Sequence, residues 1–349
     1  MTVDQELFAD RLPTYLTRFI GRERELAALI ALSSARLLTI CGVGGLGKTR
    51  LAIEVAKRLR DGRASEVAYE DVFWVPLGPV VNAAGVPGEV AAALGLPGPS
   101  GANALLAVVN ALRGRRALVV LDNCEHVAPA CAAVATRLLR ECPSAGVLAT
   151  SRIALEAANE QVYVVPPMAD EAIDLFVDRA VSTAPAYALT ETNADPIGQI
   201  CERLEGLPLA IELAASWVRV VSPRDLLSCL TESIDTESPA APVEARHRSM
   251  NAVLDTTWQW LSDTDRSVAT ALGAFRGGFT REAAQVVTGA SLSTLATLTE
   301  RALIQRLPDA VGGSRYHLHE LVRSYAVDRL QAAGPETADA VRARHFDYY

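Results

Sequence analysis

An apolar run, Leu37-Leu38-Thr39-Ile40, leads directly into Gly42-x-x-x-x-Gly47-Lys48-Thr49, and a helix-forming stretch follows to Leu59. Few folds accommodate that order. The apolar run reads as a buried strand. The glycines let the backbone turn with its N–H groups pointing inward, and the helix that follows aims its N-terminus at whatever the loop encloses. Such a loop cradles phosphate. Gly42, Gly44, Gly45, Leu46 and Gly47 supply the backbone, Lys48 reaches the β/γ-phosphates, the Thr49 hydroxyl holds Mg²⁺, and Arg50 follows in the first helical turn. The chain has only two lysines, Lys48 and Lys57, so a lysine-rich composition does not produce the match. The pattern alone leaves a kinase, a transporter ATPase and a GTPase open.

At 349 residues, half of them apolar, the chain can bury the cores of two or three domains. A net charge of −8 argues against a surface dominated by nucleic-acid or anionic-membrane contacts. The six cysteines show no C-x-x-C spacing, which points to small buried thiols in a reducing compartment. The N-terminus lacks a basic-then-apolar signal, and no apolar run approaches the length of a membrane span. The expected location is cytoplasmic, with no membrane partner.

In chain order, residues 1–18 form an N-terminal extension with Leu7, Phe8 and Leu12 ahead of Pro13, and Phe19-Ile20-Gly21-Arg22-Glu23 opens a helix to about Ser33. Further strands are read at Asp71–Leu77, Arg116–Asn123, Gly146–Arg152 and Val162–Val165, with helices at about 86–95, 102–113 and 127–141 between them. Apolar runs without alternation imply a sheet covered on both faces. The expectation over 19–166 is therefore a five-stranded parallel α/β sheet of the P-loop NTPase, ASCE type. Past Pro166-Pro167 the strand pattern stops, and residues 167–234 read as an all-helical lid domain. Its helices are expected at Glu171–Ser182, from Asp195-Pro196 to Leu204, at Pro208–Val220, and after Ser222-Pro223. Residues 235–245 read as a linker, and 246–334 as a winged-helix domain with a hairpin turn around Asp309–Ser314 and a recognition helix over Leu292–Leu307. Residues 335–349 look like the start of a truncated helical repeat region.

A phosphate loop of this kind needs a carboxylate at the end of a neighbouring buried strand to organise Mg²⁺. Asp122 is in that place, although an ordinary helix cap is the plainer role for an Asp there. Asn123 stands where a second acid is often found, so Glu125 is the nearest carboxylate able to serve as a base for water, and slow hydrolysis is expected. Arg152, at the end of its strand, is placed to read a γ-phosphate, or is simply a solvated arginine. His126, Cys124 and Cys131 do not match a zinc spacing. His317 and His319 flank Leu318 and would share one face of a wing strand, where a structural role is the default.

Six motifs occur in one order: Phe19-Ile20-Gly21-Arg22-Glu23, Gly42 to Thr49, Leu118 to Asp122, Thr150-Ser151-Arg152, Gly206-Leu207-Pro208-Leu209-Ala210, and Leu318-His319-Glu320. In this the chain resembles the NB-ARC-like nucleotide-binding module of STAND-class AP-ATPases, most of all that of large bacterial transcriptional regulators with tetratricopeptide repeats. The resemblance covers about residues 16–349. It implies that the cofactors are ATP/ADP and Mg²⁺, that Ile20 and Arg22 contact the adenine side, that Pro208 packs on the base, and that His319 reaches the β-phosphate of ADP. It further implies a closed, ADP-held monomer that self-associates on ATP exchange, resets by weak hydrolysis, and takes its signal and output from domains outside this chain. Asn123 and Glu320 depart from the family pattern.

Two other classes compete. An AAA-type initiator would use the winged helix on DNA, but over 244–349 twelve arginines meet twelve acidic residues, and the expected recognition helix offers only Arg301 and Arg306. No direct nucleic-acid binding is expected from so neutral a surface. A metabolic P-loop kinase has no use for the helical and winged additions.

Overall fold

The computed structural model describes residues 12–62, 68–96, 98, 101–235, 242–308 and 314–349. They divide into two compact units. The first holds residues 12–13, 22–43 and 47–166, and the second holds 14–21, 44–46 and 167–349.

In the first unit β1 (Leu37–Cys41), β2 (Asp71–Pro76), β3 (Ala117–Asp122), β4 (Gly146–Ser151) and β5 (Gln161–Val164) form one sheet in the order β2-β3-β4-β1-β5. All four pairings are parallel. Thus β4 separates the strand that feeds the phosphate loop from the strand that ends in Asp122. One sheet face, built by Leu37, Phe73, Val75, Val119, Leu121, Val147 and Ala149, packs in one core with Val90, Val108, Leu112 and Leu138. These last come from α3 (Val86–Ala93), α4 (Gly101–Leu112) and α5 (Ala128–Glu141). The alternate residues Leu38, Ile40, Val72, Leu118, Val120 and Leu148 are buried as well. Two covered faces are the reason these strands lack apolar–polar alternation. The edge strand β5 is the exception, exposed at Gln161 and Val164. The helices α1 (Glu23–Ala31) and α2 (Lys48–Asp61) complete the unit, and α2 buries Leu51, Ala52, Val55, Ala56 and Leu59 on one stripe.

The second unit is mostly helical: α6 (Glu171–Thr183), α7 (Glu191–Arg203), α8 (Pro208–Ala215), α9 (Pro223–Asp235), α10 (Pro242–Gln259), α11 (Asp263–Ala271), α12 (Arg281–Thr288), α13 (Leu292–Glu300), α14 (Glu320–Ala332) and α15 (Pro335–Tyr348). Its antiparallel sheet, β6 (Phe279–Thr280), β7 (Ile304–Pro308) and β8 (Ser314–Leu318), has the order β6-β8-β7. Trp217 anchors this unit. Its ring meets Trp260 edge-on with centroids 4.3 Å apart, and the Arg301 guanidinium lies 3.8 Å above it. The buried Arg179 donates to Glu212 (3.0 Å), to Asp178, and to the Arg18 carbonyl (3.0 Å), tying the 14–21 segment to α6 and α8.

Several sequence expectations need correction. The expected recognition helix stops at Glu300, and Ile304–Pro308 is a strand paired with β8; Ala302, at φ 56, turns the chain between them. Helix α7 starts at Glu191 because Thr190 and Asn193 form a capping box, so Pro196 sits inside it. Helix α8 ends at Ala215, short of Val220. Helix α10 begins at Pro242, inside the expected linker. His319 is not on the strand expected to carry it, since β8 ends at Leu318; it caps α14. The hairpin tip, 309–313, lies outside the described residues, as do 1–11 and the linker residues 236–241. Among the described residues no helix is long and apolar enough to cross a membrane.

Gly206 is a position where only glycine fits. Its φ is +59°, and an added Cβ would lie 2.1 Å from the Met168 carbonyl oxygen, while Met168 N–H donates to the Gly206 carbonyl at 2.9 Å. Gly206→Ala is expected to cost about 2 kcal/mol or more of stability, read as a lowered urea midpoint. A parental midpoint would show that this backbone contact is dispensable.

Candidate functional site

The phosphate loop follows β1, and its glycines carry the turn: φ is 153° at Gly42, 81° at Gly45 and 82° at Gly47. Gly47 is the N-cap of α2, so the helix begins at Lys48 and its N-terminus opens on the loop. The Lys48 ammonium donates to the Val43 carbonyl at 3.0 Å, bridging the loop from the inside. Burial pushes its pKa below the usual value; the charges of Glu125 and Asp122 oppose that shift and Arg152 reinforces it. Arg50 is half-buried in the same helical turn.

Residues 44–46, the crown of the loop, group with the second unit. Leu209 N–H donates to the Gly45 carbonyl at 3.2 Å. A Cβ at Gly44 would stand 2.9 Å from Leu321 Cδ2, and one at Gly45 would meet Leu321, Leu209 and Met250. The glycines here admit neighbouring side chains as well as a tight turn.

At the end of β3, Asp122 Oδ1 accepts hydrogen bonds from Thr49 Oγ1 at 2.8 Å and from Thr150 Oγ1 at 2.7 Å. Burial raises the Asp122 pKa, while the two hydroxyl bonds and the Lys48 charge pull it back. Thr150 Oγ1 also accepts the Asn123 N–H at 2.9 Å, and Asn123 adopts a left-handed backbone, φ 66°. In the sequence Thr150 figures only as part of the Thr150-Ser151-Arg152 motif, with no role of its own. Its role follows from the pairing of β4 beside β3, which no local pattern encodes. Arg152 Nε and Glu125 Oε1 form an ion pair at 3.0 Å. The first unit thus brings Lys48, Thr49, Asp122, Glu125 and Arg152 together. A hydroxyl and a carboxylate in contact, beside a helix N-terminus and an ammonium, are the donors that a magnesium-bound polyphosphate requires, so the residues present fit that group.

The expected base and sensor residues are placed as follows. Arg22 is the N-cap of α1 at φ 72°, and its guanidinium is committed to Glu25 Oε1 (2.8 Å) and the Pro166 carbonyl (2.7 Å). The side-chain tip expected at the adenine is thus engaged within the protein. Ile20 is half-buried in the 14–21 segment, and Pro208 is the first residue of α8. His319 Nδ1 accepts the Leu321 N–H at 3.2 Å, so in the neutral ring the proton sits on Nε2. All six cysteines are free thiols. His126 Nε2 donates to the Val80 carbonyl at 2.9 Å.

No family model matches the chain. The uncharacterized protein Rv0894 of Mycobacterium tuberculosis is 36% identical over 350 residues, covering 95% of this chain and 85% of that protein. Rv0890c of the same organism, which bears the name of an HTH-type transcriptional regulator, is 38% identical over 330 residues, covering 91% of this chain and 36% of that one. The chain therefore spans about a third of the length of the regulator it matches. Among solved structures, PH0952 of Pyrococcus horikoshii, a STAND protein with a tetratricopeptide repeat sensor, superposes with a TM-score of 0.63 at 15% identity, over 97% of this chain and 46% of that one. The fold is that of a P-loop NTPase, and on the extent and identity of the match the chain belongs to the same family as Rv0894.

Proposed function

We propose that the chain is the nucleotide-operated switch of a transcriptional regulator, holding ADP in a closed monomer and opening to self-associate when ATP replaces it. The observation that carries this reading is the Thr49–Asp122 hydrogen bond beside Lys48. Thr49 and Asp122 are the residues to hold Mg²⁺, directly and through water, and bound magnesium would neutralise phosphate charge. Gly42, Gly44, Gly45, Leu46 and Gly47 would supply backbone around the phosphates, with Lys48 on the β/γ-phosphates and Arg50 at the helix start. Ile20, the Arg22 backbone and Pro208 are assigned to the adenine, and His319 Nε2–H to the β-phosphate of ADP. Domain boundaries at 19–166, 167–234 and 246–334 belong to the same proposal.

The regulatory part of the reading is supported by the name that Rv0890c carries and by the greater length of that relative. A switch works to the extent that two states differ in affinity for two nucleotides. His319 and Arg152 are the residues assigned to that difference, one for each nucleotide. Hydrolysis is a slow reset, since Asn123 occupies the usual place of a second acid.

Purified protein, once denatured, should release ADP in near-stoichiometric amount, whereas an empty site speaks for a rapidly exchanging enzyme. Lys48→Ala should lower nucleotide affinity at least 100-fold by removing a buried charge contact; an unchanged affinity by calorimetry sinks the site assignment. His319→Ala should weaken ADP more than ATP, and equal losses would reduce it to a helix cap. Asp122→Asn should abolish the magnesium dependence of binding, yet raise the melting temperature of nucleotide-free protein by about 2–4 °C, because it removes a desolvated charge. A lower melting temperature would contradict the cost assigned to that carboxylate.

A further inference from the structure

The turn between Asp122 and α5 holds a carboxylate that the phosphate and magnesium roles leave unused. Asn123, in its left-handed conformation, is fixed by its N–H bond to Thr150 Oγ1. A 3-10 turn spans Glu125–Val127, and the His126–Val80 hydrogen bond secures its other side. Held in this way, Glu125 offers Oε1 to Arg152 Nε at 3.0 Å, with side chains 18% and 39% exposed respectively. Glu125 Oε2 is buried and has no hydrogen-bond partner. Both members of the pair act on the Lys48 ammonium, in opposite senses. A carboxylate whose one oxygen is held by a cation while the other is buried and unpaired can take a proton from water once that cation is withdrawn. Asn123, an amide, has no such capacity.

Resting on the nucleotide reading above, we infer that Arg152 and Glu125 form an interlock: the arginine holds the base while no γ-phosphate is present, and the γ-phosphate of ATP draws the arginine away and frees the base. In the step that follows, the oxygen of a water forms a bond to the γ-phosphorus, and the bond from that phosphorus to the bridging oxygen breaks. The electron pair leaves with ADP. The water proton passes to Glu125 Oε2 and from there to solvent, with inorganic phosphate as the other product. The interlock has a thermodynamic consequence: ATP competes with Glu125 for Arg152, so the ion pair subtracts from ATP affinity and leaves ADP affinity alone. Hydrolysis thereby begins only after the γ-phosphate has been recognised.

The test uses the full chain with Mg²⁺, calorimetric titration of ATP and of ADP, and single-turnover hydrolysis. Glu125→Gln should bind ATP several-fold tighter, leave ADP affinity within about twofold, and lower the hydrolysis rate about 100-fold or more. Glu125→Gly should regain part of the rate when formate is added, a response that a purely structural role would not give. Arg152→Ala, which keeps the carboxylate, should lose ATP affinity and retain that for ADP. Hydrolysis at the parental rate in Glu125→Gln, or equal movement of its ATP and ADP affinities, overturns the interlock alone. A parent that binds neither nucleotide better than Lys48→Ala overturns the interlock together with the reading beneath it.

Discussion

A single oxygen of Asp122 organises the loop-bearing end of the sheet. Placing a carboxylate at the end of a strand that is buried on both faces is costly, and the protein offsets that cost with the Thr49 and Thr150 hydroxyls and the field of Lys48. Lys48 and Thr49 follow β1 and Thr150 lies on β4, and the strand order puts β4 between β1 and the β3 strand that ends in Asp122. A helix N-terminus, a strand end and a loop lysine are thus drawn to one point. The same Thr150 hydroxyl fixes Asn123, which sets the direction in which the chain leaves β3 and so where Glu125 comes to lie. The ion pair with Arg152 depends on that turn.

In the second unit, order rests on a few polar contacts set in an apolar helical mass. Arg179 is buried and paired, and by holding the Arg18 carbonyl it fixes the segment that contains Ile20. A buried arginine is tolerable only with such partners. The contact between Gly206 and Met168 does comparable work for the start of α8, and with it for Leu209, whose N–H reaches the loop crown at Gly45. The residues that resemble one family motif, Gly206 to Ala210, therefore have a structural reason for being Gly-Leu-Pro: a left-handed residue in close backbone contact, then a proline at the first helical position.

Much of the first unit was legible in the sequence. Strands with unbroken apolar runs announced a doubly covered sheet, and the glycine spacing announced the turn before α2. The second unit was less so. Residues 292–307 keep an apolar periodicity past Glu300, yet Ala302 in a left-handed conformation and pairing with β8 turn the last part into a strand; tertiary pairing overrode local propensity. His319 reads from the sequence as a strand residue beside His317, and the hydrogen bond from Leu321 N–H makes it a helix cap instead. The capping box at Thr190 moved a helix start that Pro196 had seemed to mark.

What the sequence determined by itself was the phosphate loop, the identity of its lysine and threonine, and the strand that ends in Asp122, because each is a short-range pattern with one compatible backbone. The tertiary structure alone decided which hydroxyls satisfy that aspartate, that the Arg22 guanidinium reaches the Pro166 carbonyl, and that Arg152 meets Glu125. Those pairings depend on strand order and on the direction of a turn, and residues 27 or more positions apart leave no periodic trace of the hydrogen bonds they will share.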